Sequence, residues 1–420
     1  MNSPYLRYKG SEFYMEGVPL ARLAKEVGTP FYAYSRADIE ARFGDYARAF
    51  KDVPHLICFA VKACSNLAIG RVISRLGGGA DIVSGGELRR VLRAGFPASK
   101  VIFSGVGKTR EELALALRSR VRLINVESAE ELSILNGLAK ELGIQAAISL
   151  RVNPDVRAGS HPHIRTGTPE NKFGVYYKDI FPLYMWAKTQ RYLNPVGIQC
   201  HIGSQILRVG PYVRALQVLL GIVKDLWRKG IFIEVLDLGG GLGVKYDHSD
   251  PDSPRQLAEA ILPYVRGTGL TLFLEPGRSL VAQSGVLVTR VLYRKEAGPK
   301  HFVIVDAAMN DLARPALYDA FHEIVPVRKI SGKKVPVDVV GPVCESGDYL
   351  ARGRLMRLPE RDSLLAVLTA GAYGFSMSSQ YNSRPRIPEV LVSGNRFHII
   401  RRREKVDDLM RGETIPKELK

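Results

Sequence analysis

The sequence holds no uninterrupted apolar run of about eighteen residues, so no membrane span is expected. Its opening stretch, Met1–Gly10, lacks the apolar centre of a signal peptide, and a cytoplasmic location is expected. Cysteine is scarce. Cys58, Cys64, Cys200 and Cys344 stand at no paired metal-ligand spacing, so neither a bound metal nor a disulfide framework is expected. Low-complexity tracts and internal repeats beyond a strand–helix alternation are also missing. Acidic residues are outnumbered, 42 against 60 lysines and arginines, which leaves a net charge of +18. A nucleic-acid partner would want that charge clustered with aromatics or carried by a recognisable module. Here it is scattered, the densest run being Arg401-Arg402-Arg403, and no nucleic-acid partner is expected. The surplus reads as a basic solvated surface whose field helps gather an anionic substrate or cofactor.

What is present is a rhythm. About eight short apolar runs recur: Leu56–Val61, Ala80–Val83, Val101–Ser104, Leu123–Val126, Ala146–Leu150, Val196–Cys200, Val235–Leu238 and Leu270–Leu274. Between them lie segments of helical spacing, among them Asn66–Leu76, Glu87–Ala94, Ser128–Leu142 and Val213–Lys229. That alternation is the pattern of a closed parallel (β/α)8 TIM-type barrel, placed at residues 35–285. A barrel of roughly 250 residues leaves over a hundred for something else. From Val286 onward short strands alternate with turns, which suits a second, mainly antiparallel β domain at 286–420. Residues 1–34, with Tyr5–Tyr8 and Glu12–Met15, read as strands joining that domain. Val152–Gly174 is the longest barrel loop without a clear helix, and long loops on this face are often functional.

The apolar runs end in reactive residues, and in such a barrel those side chains converge on one mouth. Lys62 directly follows a strand, where a partly desolvated amine attacks an aldehyde readily. Gly239-Gly240-Gly241 offers backbone N–H groups that suit a phosphate. Glu275-Pro276-Gly277-Arg278 adds a second close-approach glycine at the next strand end. Glu275 suits the nitrogen of a heteroaromatic ring, and His201 suits stacking on one. An imine-forming lysine, a ring-nitrogen partner and a phosphate anchor together match pyridoxal 5'-phosphate. In the second domain Arg314 is placed to clamp a carboxylate. Cys344, beside Glu345 and Asp348, reads either as an inert thiol or as a proton donor.

Several segments resemble the diaminopimelate decarboxylase family. They are Phe59-Ala60-Val61-Lys62-Ala63, Asp81 to Glu87, Asn171 to Gly174, His201 to Gln205 and Glu275 to Arg278. Cys344 to Asp348 and Ala370 to Gly374 complete the set, and the likeness runs in family order from about Tyr5 to Arg403. The resemblance implies the alanine racemase-like fold type III, a barrel plus a β domain that contains the N-terminal strands. It implies pyridoxal-phosphate-dependent decarboxylation of meso-2,6-diaminopimelate to L-lysine, the last step of lysine biosynthesis. Lys62 is implied to hold the cofactor covalently and Glu275 to meet its ring nitrogen. His201 is implied to pack on the ring, with Asp81 and Arg151 in support. The phosphate side or its surroundings falls to Ser204, Gly240, Gly277, Arg278 and Tyr373, with Gly239, Gly241 and Pro276 also among the cofactor-binding residues. Arg278, Arg314, Tyr318 and Tyr373 are implied to take the substrate's distal end, with Glu345 near its ammonium and Cys344 as proton donor. A homodimer with shared sites is implied too, Cys344 and Glu345 reaching the partner's barrel. Cys64, Ala308 and Arg157 depart from the family's usual residues without removing a reactive group. Other readings are a related decarboxylase of ornithine, arginine or a carboxylated polyamine, and a non-catalytic cofactor-binding regulator.

Overall fold

The computed structural model describes residues 3–156 and 172–419. Arg157 and Asn171, and most of the Val152–Gly174 loop, lie outside the described residues. The chain divides into two compact units, one of residues 39–280 and one of residues up to Asp38 together with those from Val281 onward. Among the described residues no helix is long and apolar enough to cross a membrane.

The first unit is a closed ring of eight parallel strands. In ring order they are His55–Ala60, Gly79–Ile82, Val101–Phe103, Leu123–Val126, Ala146–Asn153, Leu193–Gln199, Val235–Asp237 and Thr271–Leu274. Strand four pairs with strand five, and strand eight returns to strand one, so no edge is left open. The intervening helices begin on short polar side chains that accept first-turn N–H groups. Asn66, Ser84, Thr109, Ser128 and Ser253 all do this, and Thr109 and Ser253 complete capping boxes with Glu112 and Gln256. Gly95 and Gly143 end two of these helices in the left-handed conformation.

Cys58, Ile102, Leu123, Val196, Val235 and Phe273 form one apolar cluster inside the ring. Side chains of a strand alternate, so residues two further along return to the same face. On strands four, seven and eight those residues are Asn125, Asp237 and Glu275, all buried. The barrel interior therefore changes from apolar to polar over one pleat as the strands reach the mouth.

The second unit is built on a mixed nine-stranded sheet. Its long strand, Gly285–Ala297, pairs with Phe31–Ser35, Lys300–Val305 and Leu364–Val367. Most pairings are antiparallel; Lys300–Val305 with Lys334–Val340 and Phe31–Ser35 with Glu389–Ser393 are parallel. Leu6–Lys9, Glu12–Met15 and Val18–Pro19 form a separate three-stranded sheet. Phe13, Met15, Phe31, Val286, Val288 and Val390 belong to the shared core of this unit.

Leu123 has no exposed surface. Leu123→Ala should cost about 2–5 kcal/mol of barrel stability, read as a lowered unfolding midpoint. Phe232, which is 71% exposed, should tolerate the same change within about 0.5 kcal/mol.

Candidate active site

Strand one runs straight into a single 3-10 turn, Val61–Ala63, whose middle residue is Lys62. Its Nζ donates to Asp81 Oδ2 at 2.8 Å, and Asp81 has no exposed side-chain surface. Asp81 Oδ1 finds no donor among the described residues. The lysine, one-third exposed, is thus an amine steered by a buried anion. Glu87 stands nearby, its Oε2 accepting the Val83 N–H at 2.8 Å. Burial, and next the Asp81 charge, push the Glu87 carboxyl up to about 7.

Strands six, seven and eight converge tightly beside this turn. Glu275 N–H donates to Gly239 O at 2.8 Å, and Ala60 N–H to Pro276 O at 3.2 Å. A Cβ on Gly240 would lie 2.0 Å from Glu275 O, and one on Gly241 2.1 Å from Gly203 O. Glycine is therefore required here by main-chain contact within the protein. Gly239 N–H is taken by Asp237 Oδ1 at 2.8 Å, and Gly240 N–H by His201 Nδ1 at 3.2 Å. Sequence reading assigned all three triplet N–H groups to a phosphate; two of them already have protein acceptors. Gly241 and Gly277 are the positions whose N–H meets no protein acceptor among the described residues. Arg278 adds charge on that side, its guanidinium donating to Tyr246 OH at 2.8 Å and Ser204 Oγ at 2.9 Å.

Because His201 Nδ1 accepts an N–H, its proton sits on Nε2. Burial, with Arg151 and Lys62 adding to it, pulls this imidazole well below its usual range, so it is neutral at pH 7. Glu275 is held by Gln199, whose Nε2 donates to Oε1 at 3.2 Å. Burial first, then the Asp237 and Asp81 charges, raise the Glu275 carboxyl well above the ordinary range.

Arg151 lies within strand five, not after it: the strand continues to Asn153, because Arg151 and Asn153 pair with Gln199 and Tyr176 on their two sides. Its guanidinium meets Glu127 Oε1 at 2.7 Å and lies over the Phe173 ring at 4.7 Å. Glu127 also accepts the N–H groups of Gly105 and Gly174, each at 3.0 Å. Its own N–H donates to Glu131, which pairs at 2.6 Å with the fully buried Lys108. Four charges, two of each sign, form a chain from the Ala129–Leu142 helix to Arg151.

The remaining expected residues belong to the second unit. Arg314, buried, opens the short Arg314–Tyr318 helix. Its guanidinium lies 2.9 Å from His322 Nε2, while His322 Nδ1 is 2.9 Å from Leu368 O. The carbonyl requires a proton on Nδ1, so Nε2 accepts from the arginine and fixes its direction. Cys344 and Glu345 are exposed on one loop. Asp348 anchors that loop by accepting the N–H groups of Val343 and Met309, both at 2.7 Å. Tyr373 is partly buried with φ 56°, and Tyr318 is partly buried.

Within the barrel unit, then, a lysine paired to a buried acid, a second buried carboxyl, a neutral imidazole, two glycine N–H groups and an arginine share one rim. That donor set fits pyridoxal phosphate: an amine for the aldehyde, a carboxyl for the ring nitrogen, and N–H groups with a cation for the phosphate. The profile of the pyridoxal-dependent decarboxylases, pyridoxal binding domain, matches residues 36–282. The chain belongs to this class of pyridoxal-dependent decarboxylases. It is 52% identical over 408 residues to the diaminopimelate decarboxylase of Pseudomonas aeruginosa, covering 97% of this chain and 98% of that one. The Helicobacter pylori diaminopimelate decarboxylase complexed with L-lysine matches at TM-score 0.91 and 44% identity, over 93% of this chain and 98% of that one. The M. jannaschii diaminopimelate decarboxylase in co-complex with L-lysine matches at TM-score 0.95 and 37% identity, over 99% of each chain. Within the class, the chain is a member of the diaminopimelate decarboxylase family.

Glu127, Gln199, Asp237, Tyr246 and His322 were not picked out from the sequence. Asp237 and Gln199 carried a signal, a polar residue at the end of an apolar strand facing a closed barrel. The other three depend on contacts distant in sequence.

A raised carboxyl favours the protonated fold, so this part of the stability is full below about 4.5 and lost as pH rises through about 7. Glu87→Gln should therefore raise the melting temperature above the parent's at about pH 8 and leave it nearly unchanged near pH 5, as scanning calorimetry at the two pH values would show.

Proposed function

We propose that the rim built around Lys62 carries out the decarboxylation of meso-2,6-diaminopimelate to L-lysine and carbon dioxide. The observation that carries this reading is the Lys62–Asp81 ion pair beside the buried, neutral-leaning Glu275 carboxyl. Pyridoxal phosphate, when bound, supplies an aldehyde for the amine and a ring that accepts the electron pair left by departing carbon dioxide. Asp81 orients Lys62 Nζ and stabilises its ammonium form. Lys62 would hold the cofactor through its amine. Glu275 would face the ring nitrogen and His201, neutral, would pack against the ring. Gly241, Gly277, Ser204 and Arg278 take the phosphate side.

Breaking the carbon–carbon bond at the D-configured centre leaves a carbon that needs one proton. Cys344 delivers it from its thiol as general acid. Arg314, aimed by His322, takes the distal carboxylate with Tyr318, and Glu345 takes the distal ammonium. A site that must pair a distal carboxylate rejects ornithine, whose far end carries only an ammonium, because the guanidinium would be left unpartnered. Cys344 and Glu345 are exposed in the chain, which supports their service to a second copy in a homodimer. Four free cysteines suit a cytoplasmic location.

Incubation with both diaminopimelate stereoisomers, lysine, ornithine and arginine should release carbon dioxide from the meso form, with L-lysine as product. Turnover of ornithine at a similar rate would count against the substrate assignment. Lys62→Ala should abolish multiple turnover in the same assay. Mixing Lys62→Ala chains with Cys344→Ala chains should restore part of the activity, because a hybrid dimer holds one intact site. No recovery on mixing would argue for sites complete within one chain.

A further inference from the structure

The triplet Gly239-Gly240-Gly241 carries three N–H groups and three carbonyls, and buried main-chain polar groups need partners. Five of the six have one. Gly239 N–H donates to Asp237 Oδ1 at 2.8 Å, and Gly240 N–H to His201 Nδ1 at 3.2 Å. Gly239 O accepts from Glu275 N–H at 2.8 Å, and Gly241 O from Ile206 N–H at 2.9 Å. The fifth is Gly240 O, which accepts from the Tyr212 hydroxyl at 2.9 Å. Gly241 N–H alone meets no acceptor among the described residues. Gly239 and Gly240 are buried, whereas Gly241 is partly exposed, so the group left over lies where the triplet opens.

Gly240 O and Gly241 N–H are the two ends of one peptide. In a planar trans peptide they point in opposite directions, so whatever holds the carbonyl also aims the N–H. Tyr212 is 2% exposed and stands in the first turn of the Gly210–Arg228 helix, in the layer outside the ring. That turn is itself tethered, Val209 N–H donating to Asp252 Oδ2 at 2.8 Å and Tyr212 N–H to Val209 O at 2.9 Å. The hydroxyl thus reaches Gly240 from the helix layer, and Gly241 N–H points away from that layer. Burial raises the Tyr212 hydroxyl well above its usual range, so it keeps its proton and remains a donor at neutral pH. A Cβ on Gly241 would lie 2.1 Å from Gly203 O, so no side chain can steady this peptide from within. Ser204, next to Gly203, accepts from Arg278 at 2.9 Å, which brings a cation to the same corner.

We infer that Tyr212 is a positioning residue for the cofactor's phosphate: its hydroxyl holds Gly240 O so that Gly241 N–H is aimed at the anion, which the tyrosine itself does not touch. The inference rests on the reading that the phosphate lies against Gly241, Gly277 and Arg278. Without the hydroxyl, the peptide is free to turn and its N–H leaves the anion. A hydroxyl that only stabilised the fold would weaken ligands with and without a phosphate alike.

The test strips the cofactor from the full-length holoenzyme and follows reloading by absorbance with two ligands. Pyridoxal 5'-phosphate carries the anion; 5'-deoxypyridoxal keeps the ring and aldehyde and lacks it. Tyr212→Phe should weaken pyridoxal 5'-phosphate on the order of 10-fold and leave 5'-deoxypyridoxal within about twofold of the parent. Tyr212→4-aminophenylalanine keeps the shape with a weaker donor, and its ratio of the two affinities should fall between those of the parent and Tyr212→Phe. Should the phenylalanine variant not fold, that ratio decides by itself. An equal loss for both ligands in Tyr212→Phe, no loss for either, or a parental ratio in the aminophenylalanine variant would each overturn the inference. The parent is the control for the underlying reading. If it binds both ligands equally, the phosphate assignment fails; if it prefers the phosphate ester and Tyr212→Phe keeps that preference undiminished, only the role of Tyr212 falls.

Discussion

Strands seven and eight end so close together that the site depends on their lack of side-chain bulk. With 2.0 Å between a would-be Gly240 Cβ and Glu275 O, any larger residue must displace main chain. That contact sets the height of Glu275 in the barrel, and through the Gly240 N–H it sets the His201 ring as well. Gly277, packed against Ala60 and Ala63 on either side of Lys62, carries the same constraint to the reactive amine. A chain of backbone contacts, made possible by three missing Cβ atoms, thus aligns an acid, an imidazole and an amine that are distant in sequence.

The electrostatics follow from that crowding. A closed barrel shields its interior from water, so charges there persist only when paired or when a carboxyl keeps its proton. Asp81 is paired with Lys62, and Glu127 with Arg151. Asp237 and Glu275 have no cation of their own, and burial raises both. Acids of one chemical kind are thereby separated by their neighbours into some that meet a cation and some that do not.

The barrel was readable because its strands are short, largely buried runs, most of which end close to a reactive residue or glycine. Lys62, the glycine triplet and Glu275 stood out for that reason. Helix starts were readable at Asn66 and Ser128. Phe31–Ser35 was not seen as a strand, since a run buried on both faces lacks alternation. Tyr349–Arg357 was missed because Arg352, Gly353 and Arg354 interrupt the apolar pattern on an exposed stretch. The arginine partners, Glu127 for Arg151 and His322 for Arg314, are set by tertiary contact, which local sequence does not encode. Spacing also does not reveal that Asp237 and His201 accept two of the glycine N–H groups.

The chain Lys108, Glu131, Glu127 and Arg151 has a consequence for how this family's interior is inherited. Its charges cancel as a set, and all four side chains are at most 10% exposed. Removing one member strands a counter-ion away from water, a loss of about 3–5 kcal/mol. Lineages should therefore keep the quartet intact or exchange its members in opposite-charge pairs, so that drift at Lys108 is legible at Glu131.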